Sequence, residues 1–282
     1  MVSKAVIAVA GFGSRFFPVA KTLNKCMLPI LTKPVVQYMI EDCINAGVTQ
    51  IAIVTAPGQA GEQVRHYFSP DPDTEAYFHG RGWDKKWEPA ARLHELANFT
   101  FLEQPRDGRY GTAVPAMIAR DFVGDDDFLL LGGDDVLLRA DGGSDLADLV
   151  QRRDGAGTPG AIAAVTVDGR EAYKYGILTT TRRGERDILD DIVEKPTDYS
   201  QPTGYINISR CLVSADFFGY LDKLTPSATN GEYQNTDALV AYGRDHDILV
   251  SSVTGAYHDC GNVTGWLAAN NAAAQLEYRQ TH

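Results

Sequence analysis

Apolar residues along this chain fall into two patterns. Short continuous runs bounded by turn residues mark strands buried on both faces, whereas apolar positions three and four apart mark helices with one buried stripe. The first run, 6–10, stops at Gly11. Pro34 then opens a helical stretch in which Val35, Met39 and Cys43, with Ile40 and Ile44, share a face, and Gly47 stands at the C-terminal cap position. Strands follow over 50–55, 99–104 and 128–131, with helices over 59–68 and 112–121 between them. A strand, a crossover helix and a parallel strand form a right-handed unit. Beyond residue 160 the rhythm changes: strands over 161–167, 175–180, 188–193 and 205–213 crowd together, and helices over 215–224, 236–244 and 263–279 close the chain. The expected fold class is α/β, a Rossmann-like, mostly parallel central sheet with helices on both faces, extended by a smaller mixed sheet and C-terminal helices. The stretch 69–96, rich in charge, proline and aromatics without clean periodicity, reads as an insertion or lid.

Composition narrows the function. With 282 residues and 44% apolar content the chain can bury a large core as a single domain. A formal net charge of −11 argues against a nucleic-acid partner met by a broadly basic face, so any anion site must be locally basic. Cys26, Cys43, Cys211 and Cys260 are scattered without paired ligand spacing, which speaks against a disulfide framework or a zinc site and for a reducing, cytoplasmic setting. The first apolar run is too short for a membrane span and lacks a cleavage pattern, so neither export nor membrane association is expected.

The loop behind that run, GFGSRFFPVAKTLNKCMLPI, carries the chemistry. A dinucleotide fingerprint needs a third glycine where Phe16 stands, and a Walker loop needs Gly-Lys followed by Ser or Thr, which occurs nowhere in the chain. What remains is a glycine loop whose amides face anions, with Arg15 as a fork-shaped donor and Lys25 as a movable point charge. The plain alternative is a strand-terminating turn with solvated charges. Ligands of open α/β sheets bind beyond the carboxyl ends of the strands. Asp134, at the tip of the strand over 128–131, belongs to that edge and is a hard-oxygen ligand suited to Mg²⁺.

Gly11-Phe-Gly-Ser-Arg15 with Pro18, and Lys25-Cys-Met-Leu-Pro29, resemble the signature of sugar-1-phosphate nucleotidylyltransferases, most closely the bacterial UTP:glucose-1-phosphate uridylyltransferases. The resemblance continues in order through Gln104 and the loop after it, Gly133-Asp134-Asp135, Tyr175-Gly176, Val193-Glu-Lys-Pro196, Gly231 to Asp237 and His258 to Asn262. It implies a homo-oligomeric enzyme joining UTP to glucose 1-phosphate with Mg²⁺, its nucleotide-binding core over 1–160 and its sugar-binding elements over 161–282. Arg15 and Lys25 would carry catalysis at the triphosphate. Ala10, Gly11, Gly13, Ser14, Gln104 and Gly111 would bind nucleotide, Gly176, Glu194 and Lys195 the sugar phosphate, and Asp134 and Asp259 the metal.

Each assignment has a structural alternative: a surface ion pair for Arg15, an exposed amide for Gln104, a helix cap for Asp259, solvated strand-end charges for Glu194 and Lys195. Asp135 competes with Asp134 as ligand. Thr236 and Asp237 read as helix-capping residues and His258 as structural. The chain departs from the family pattern at Asn24, where a proline is usual and whose loss should loosen Lys25, at Arg109 and Thr112 near the base, and at Ser209, where a glycine is usual beside the sugar. A thymidylyltransferase shares every phosphate and metal residue named. A non-catalytic sugar-nucleotide-binding regulator is the rival of another class, and a binder without turnover has no need of two metal carboxylates.

Overall fold

The computed structural model describes residues 2–281. The chain enters through β1 (Lys4–Val9), a ribbon of β2 (Pro29–Ile30) and β3 (Lys33–Pro34), helix α1 (Val35–Asn45), β4 (Gln50–Thr55) and α2 (Gln59–Tyr67). The inserted stretch folds as two short helices, α3 (Pro72–His79) and α4 (Asp84–Ala91), ahead of β5 (Asn98–Glu103). The helix expected over 112–121 is broken at Ala119 into α5 (Val114–Ile118) and α6 (Arg120–Val123), followed by β6 (Phe128–Gly132), β7 (Asp135–Leu138) and α7 (Asp145–Ala156). Next come β8 (Gly160–Asp168), β9 (Gly176–Arg183), β10 (Arg186–Glu194), β11 (Thr203–Val213), α8 (Phe217–Leu221) and α9 (Asn235–Asp245). β12 (Ile248–Ser252), β13 (Ala256–Asp259) and α10 (Val263–Thr281) finish the chain. The elements β7, α7, β12 and β13 are additions to the expected set.

Nine strands make one sheet, ordered β5-β4-β1-β6-β11-β8-β12-β10-β9. β5, β4, β1 and β6 run parallel, as the βα alternation requires. β11 then lies antiparallel to both β6 and β8, and β10 antiparallel to both β12 and β9, while β12 is parallel to β8. The expected mostly parallel central sheet extended by a smaller mixed one is found as one mixed sheet, in which β5, β4, β1 and β6 form the parallel run. Long β11 hydrogen-bonds to β6 on one edge and β8 on the other, so the halves fuse into a single mixed sheet without a break near residue 160.

Both faces are covered, which is why the central strands read as unbroken apolar runs. Ile7, Ile53, Leu129 and Leu131 pack on one face with Val36 and Met39 of α1, Leu149 of α7 and Ala269 of α10. Val6, Val54, Phe128 and Leu130 pack on the other with Ala116 of α5, Phe217 of α8 and Tyr242 of α9. No helix among the described residues is long and apolar enough to cross a membrane. Just beyond β6 the chain passes close to the end of β1: a Cβ on Gly133 would run into Ala8 O and Val9 Cγ1. Gly133→Ala is accordingly expected to lower stability by about 1–3 kcal/mol through overpacking, read as an earlier denaturant midpoint at unchanged m-value.

Candidate active site

The loop after β1 turns at Gly13, whose φ of 64° lies in the left-handed region, and Phe16 N donates to Gly13 O at 2.8 Å. Ala10 is half-buried, while Gly11, Ser14 and Arg15 are exposed. Lys25 runs back along this loop: its Cβ lies 3.1 Å from the point a Cβ on Gly13 would occupy, and its Nζ 3.6 Å from the equivalent point on Gly11. The ammonium ends in a short hydrogen-bonded ion pair with Asp134 Oδ2. Glycine loop, cation and aspartate are thus contiguous.

Asn24 overturns the expectation of a loosened Lys25. Its buried side chain donates from Nδ2 to Val9 O (3.1 Å) and Ala60 O (3.3 Å) and accepts from Cys26 N (3.1 Å). Its own amide donates to Gln63 Oε1 at 2.9 Å. The residue before Lys25 is therefore tied to β1, to α2 and to the turn that carries the lysine.

Asp134 stands in the turn between β6 and β7, and Asp259 ends β13 in register with Asp135. The two carboxylates converge beside Gly261, where a Cβ would stand 2.7 Å from Asp134 Oδ2 and 2.9 Å from Asp259 Oδ1. Only a residue without a side chain leaves that space open. Asp259 Oδ1 accepts from Gly261 N (2.8 Å) and Oδ2 from Asn262 Nδ2 (2.8 Å). Asn262 Oδ1, in turn, accepts from Gly265 N at 2.9 Å, so Asn262 and not Asp259 caps α10. The competing Asp135 is committed elsewhere: its buried Oδ1 receives Arg210 Nε (3.0 Å) and Nη2 (2.7 Å), and burial pushes its carboxyl up to about 6. Among the described residues no group of three or more His, Cys, Asp and Glu is assembled for a metal. The two converging carboxylates suit Mg²⁺, which takes one or two protein carboxylates and completes its shell with phosphates and water.

On β9 and β10, Gly176 faces Glu194 across the ladder, and a Cβ on Gly176 would stand 2.8 Å from Glu194 Oε2. Glu194 and Lys195 are exposed, with Nζ 3.8 Å from Oε1. Lys195 has φ 46° and donates its amide to Tyr175 O at 2.9 Å. The register relates this pair to the turn that bears Asp134. A strand has two edges; β8 occupies one edge of β11, so β6, paired at Arg210–Leu131, and β9, paired at Ile206–Ile177, share the other. Four residue steps separate those pairs, about 13 Å at a rise of ~3.3 Å. Asn207 and Ser209 lie in the interval, with Asn207 Oδ1 accepting from Ser209 N at 2.9 Å. Ser209 adopts φ 53° and its Cβ lies 3.1 Å from where a Cβ on Gly132 would be.

Beyond β5, Gln104 donates its amide to Thr55 O at 2.8 Å. Gly111, φ 121°, presses on the backbone of Tyr233, where a Cβ would stand 2.6 Å from Tyr233 N. Thr112 Oγ1 accepts from Asn235 N at 2.8 Å and so caps α9 from another loop, a role expected of Thr236 and Asp237, which instead lie inside the helix. Arg109 folds back on Asp107, with Nε at 2.9 Å and Nη2 at 2.6 Å from Oδ2. Sequence reasoning missed Asn24 as an anchor, Asn207 between the two ends, and the pairing of Arg210 with Asp135 and Asp42.

The family described as nucleotidyl transferase matches residues 4–275. A UTP–glucose-1-phosphate uridylyltransferase of Pseudomonas aeruginosa is 30% identical over 285 residues, covering 99% of this chain and 98% of its own. A UDP-glucose pyrophosphorylase solved in complex with UDP-glucose superposes with a TM-score of 0.84 at 27% identity, over 98% of this chain and 99% of that one. A UTP-bound UGPase from Acinetobacter baumannii gives 0.86 at 26% identity, over 100% and 98%.

Two outcomes follow from this geometry. Asn24→Ala removes the side-chain bonds to Val9 O and Ala60 O and leaves the buried Cys26 amide without its side-chain acceptor; it is expected to cost about 1–3 kcal/mol, measured by chemical denaturation. His258, next to Asp259, has a buried Nε2 with no partner among the described residues, and burial lowers its pKa. Its neutral form is the native one, so its contribution is fully present above the unfolded value of about 6.5 and fades as pH falls through the lower native value. Asp135, raised by burial, acts in the opposite sense in the same acid range. Comparing Tm between pH 7.5 and 5 for wild type and His258→Gln isolates the histidine: the variant should lose less stability on acidification.

Proposed function

Since this chain belongs to the nucleotidyl transferase family, we propose that it transfers UMP from UTP to glucose 1-phosphate, with Mg²⁺, giving UDP-glucose and pyrophosphate. The observation that carries this reading is the meeting, at the β6–β11 edge, of an anion-facing glycine loop with Lys25, a converging carboxylate pair and the Gly176–Glu194 pair about four residue steps of β11 away. The relatives named for UTP and for UDP-glucose support the choice of substrates.

An oxygen of the sugar phosphate attacks the α-phosphorus of UTP; the bond from that phosphorus to the bridging oxygen breaks, and pyrophosphate leaves with the electron pair. Both reactants are anions, so positioning and charge neutralisation supply most of the rate. Arg15, with the amides of Gly11, Gly13 and Ser14, takes the leaving pyrophosphate. Lys25, already against the loop, exchanges the oxygen of Asp134 for one of phosphate. Asp134 and Asp259 would hold Mg²⁺, whose bound charge neutralises the triphosphate and the developing charge on its oxygens. Glu194 accepts from hexose hydroxyls, Lys195 pairs with the sugar phosphate, and Gln104 with Gly111 and Ala10 meets the uracil.

Pyrophosphate release and UDP-glucose formation measured across UTP, dTTP, CTP and ATP with several hexose 1-phosphates test the reading. Turnover should be highest with UTP and glucose 1-phosphate and abolished by EDTA. Lys25→Ala, Asp134→Ala and Asp259→Ala should each lower kcat/KM by about 10²–10³-fold with Tm little changed. Preference for dTTP at equal concentration would move the assignment to thymidylyl transfer; no release from any nucleotide would overturn it.

A further inference from the structure

Arg210 heads the fully buried side chains of this protein, 1% exposed. A buried guanidinium needs partners, and its partners here are specific in position. Nε and Nη2 converge on Asp135 Oδ1, Nη2 also donates to the backbone carbonyl of Asp135 (3.2 Å), and Nη1 reaches Asp42 Oδ2 (3.1 Å). Asp42 is itself fixed: Ser144 Oγ donates to its Oδ1 at 2.5 Å. One cation therefore links α1, β11 and β7. Asp135 is the neighbour of Asp134 in sequence and the register partner of Asp259 on β13. Simple neutralisation of a buried carboxylate would need only its side chain. The additional bond to the Asp135 carbonyl grips the backbone from which both converging carboxylates are held.

We propose that Arg210 is the positioning residue of the Asp134–Asp259 pair, fixing through Asp135 the separation at which the two carboxylates share a divalent cation. This rests on the metal reading above. Groups behind metal ligands commonly set affinity by about 10–100-fold when removed.

The test measures Mn²⁺ binding to the full, nucleotide-free chain from the loss of the free-ion paramagnetic signal, with Asp134→Ala and Asp259→Ala as baselines and Tm recorded for each protein. Arg210→Lys keeps the charge between Asp42 and Asp135 but loses the fork. It should retain a Tm close to wild type and bind Mn²⁺ at least about tenfold more weakly. The triple variant Arg210→Met, Asp42→Asn, Asp135→Asn removes the buried charges together, so its fold does not hinge on compensation; it too should bind weakly. Wild-type Mn²⁺ affinity in either folded variant overturns the proposal, because the arginine would then serve only charge balance. Wild-type binding no stronger than the Asp134→Ala baseline also overturns this proposal, because the pair would then hold no cation before nucleotide phosphates arrive, whereas the metal reading itself stands or falls with the EDTA sensitivity of turnover.

Discussion

Three carboxylates, Asp134, Asp135 and Asp259, crowd one edge of the sheet, and the arrangement of that edge follows from keeping them there. Like charges about 4 Å apart repel by roughly 4 kcal/mol at the effective dielectric of a protein surface. Each carboxylate is offset differently. Asp135 goes into the core and is met by Arg210; Asp134 is met by Lys25; Asp259 accepts from Gly261 N and the amide of Asn262. Lys25 is the more exposed of the two cations, while the guanidinium of Arg210 is buried. Charge is thus balanced by a fixed guanidinium in the interior and by an ammonium beside the glycine loop.

β11 carries this balance to the rest of the molecule. Its C-terminal half bonds to β6 and its N-terminal half to β9, along one edge, so the turn bearing Asp134 and the strand bearing Gly176 approach from opposite ends. The strand slips register against β8 between Asn207 and Cys211, with Ser209 at positive φ inside the slip. The irregularity interrupts the pairing with β8 between the stretches of β11 bonded to β9 and to β6. Two unjoined sheets would have left the two ends free to drift. Fusion into one sheet holds their separation.

What was legible in the sequence was local. Strand ends announced themselves by apolar runs stopping at Gly11 and at Gly132, and the charged residues just beyond them lie at the edge where open sheets bind ligands. β12 and β13 went unread, though β12 has the run Ile248–Val250 and β13 pairs only with β7. The direction of β11 was equally unreadable, since periodicity gives a strand but not its neighbours. Arg210, Asp42 and Asp135 lie on three elements far apart in the chain, and no spacing connects them. Thr112 is similar: its hydrogen bond to Asn235 N crosses 123 residues, so a capping motif searched for beside α9 found Thr236 and Asp237 instead.

Asn24 shows why a departure from a family pattern is a weak guide to a departure in geometry. A proline restrains the chain by fixing φ and confining the residue before it. Asparagine gives that up but offers an amide with two donors and a carbonyl acceptor, and here both donors and the acceptor are engaged: Val9 O and Ala60 O accept from it, and Cys26 N donates to it. The observed φ of −63° is the value a proline would have imposed. The same backbone conformation ahead of Lys25 is therefore reached by hydrogen bonding to β1 and α2 instead of by a ring. The difference lies in what the constraint depends on: a ring acts locally, whereas the asparagine holds the loop only while β1, α2 and the lysine turn are packed together, which couples the anion-facing loop to the integrity of the core beneath it.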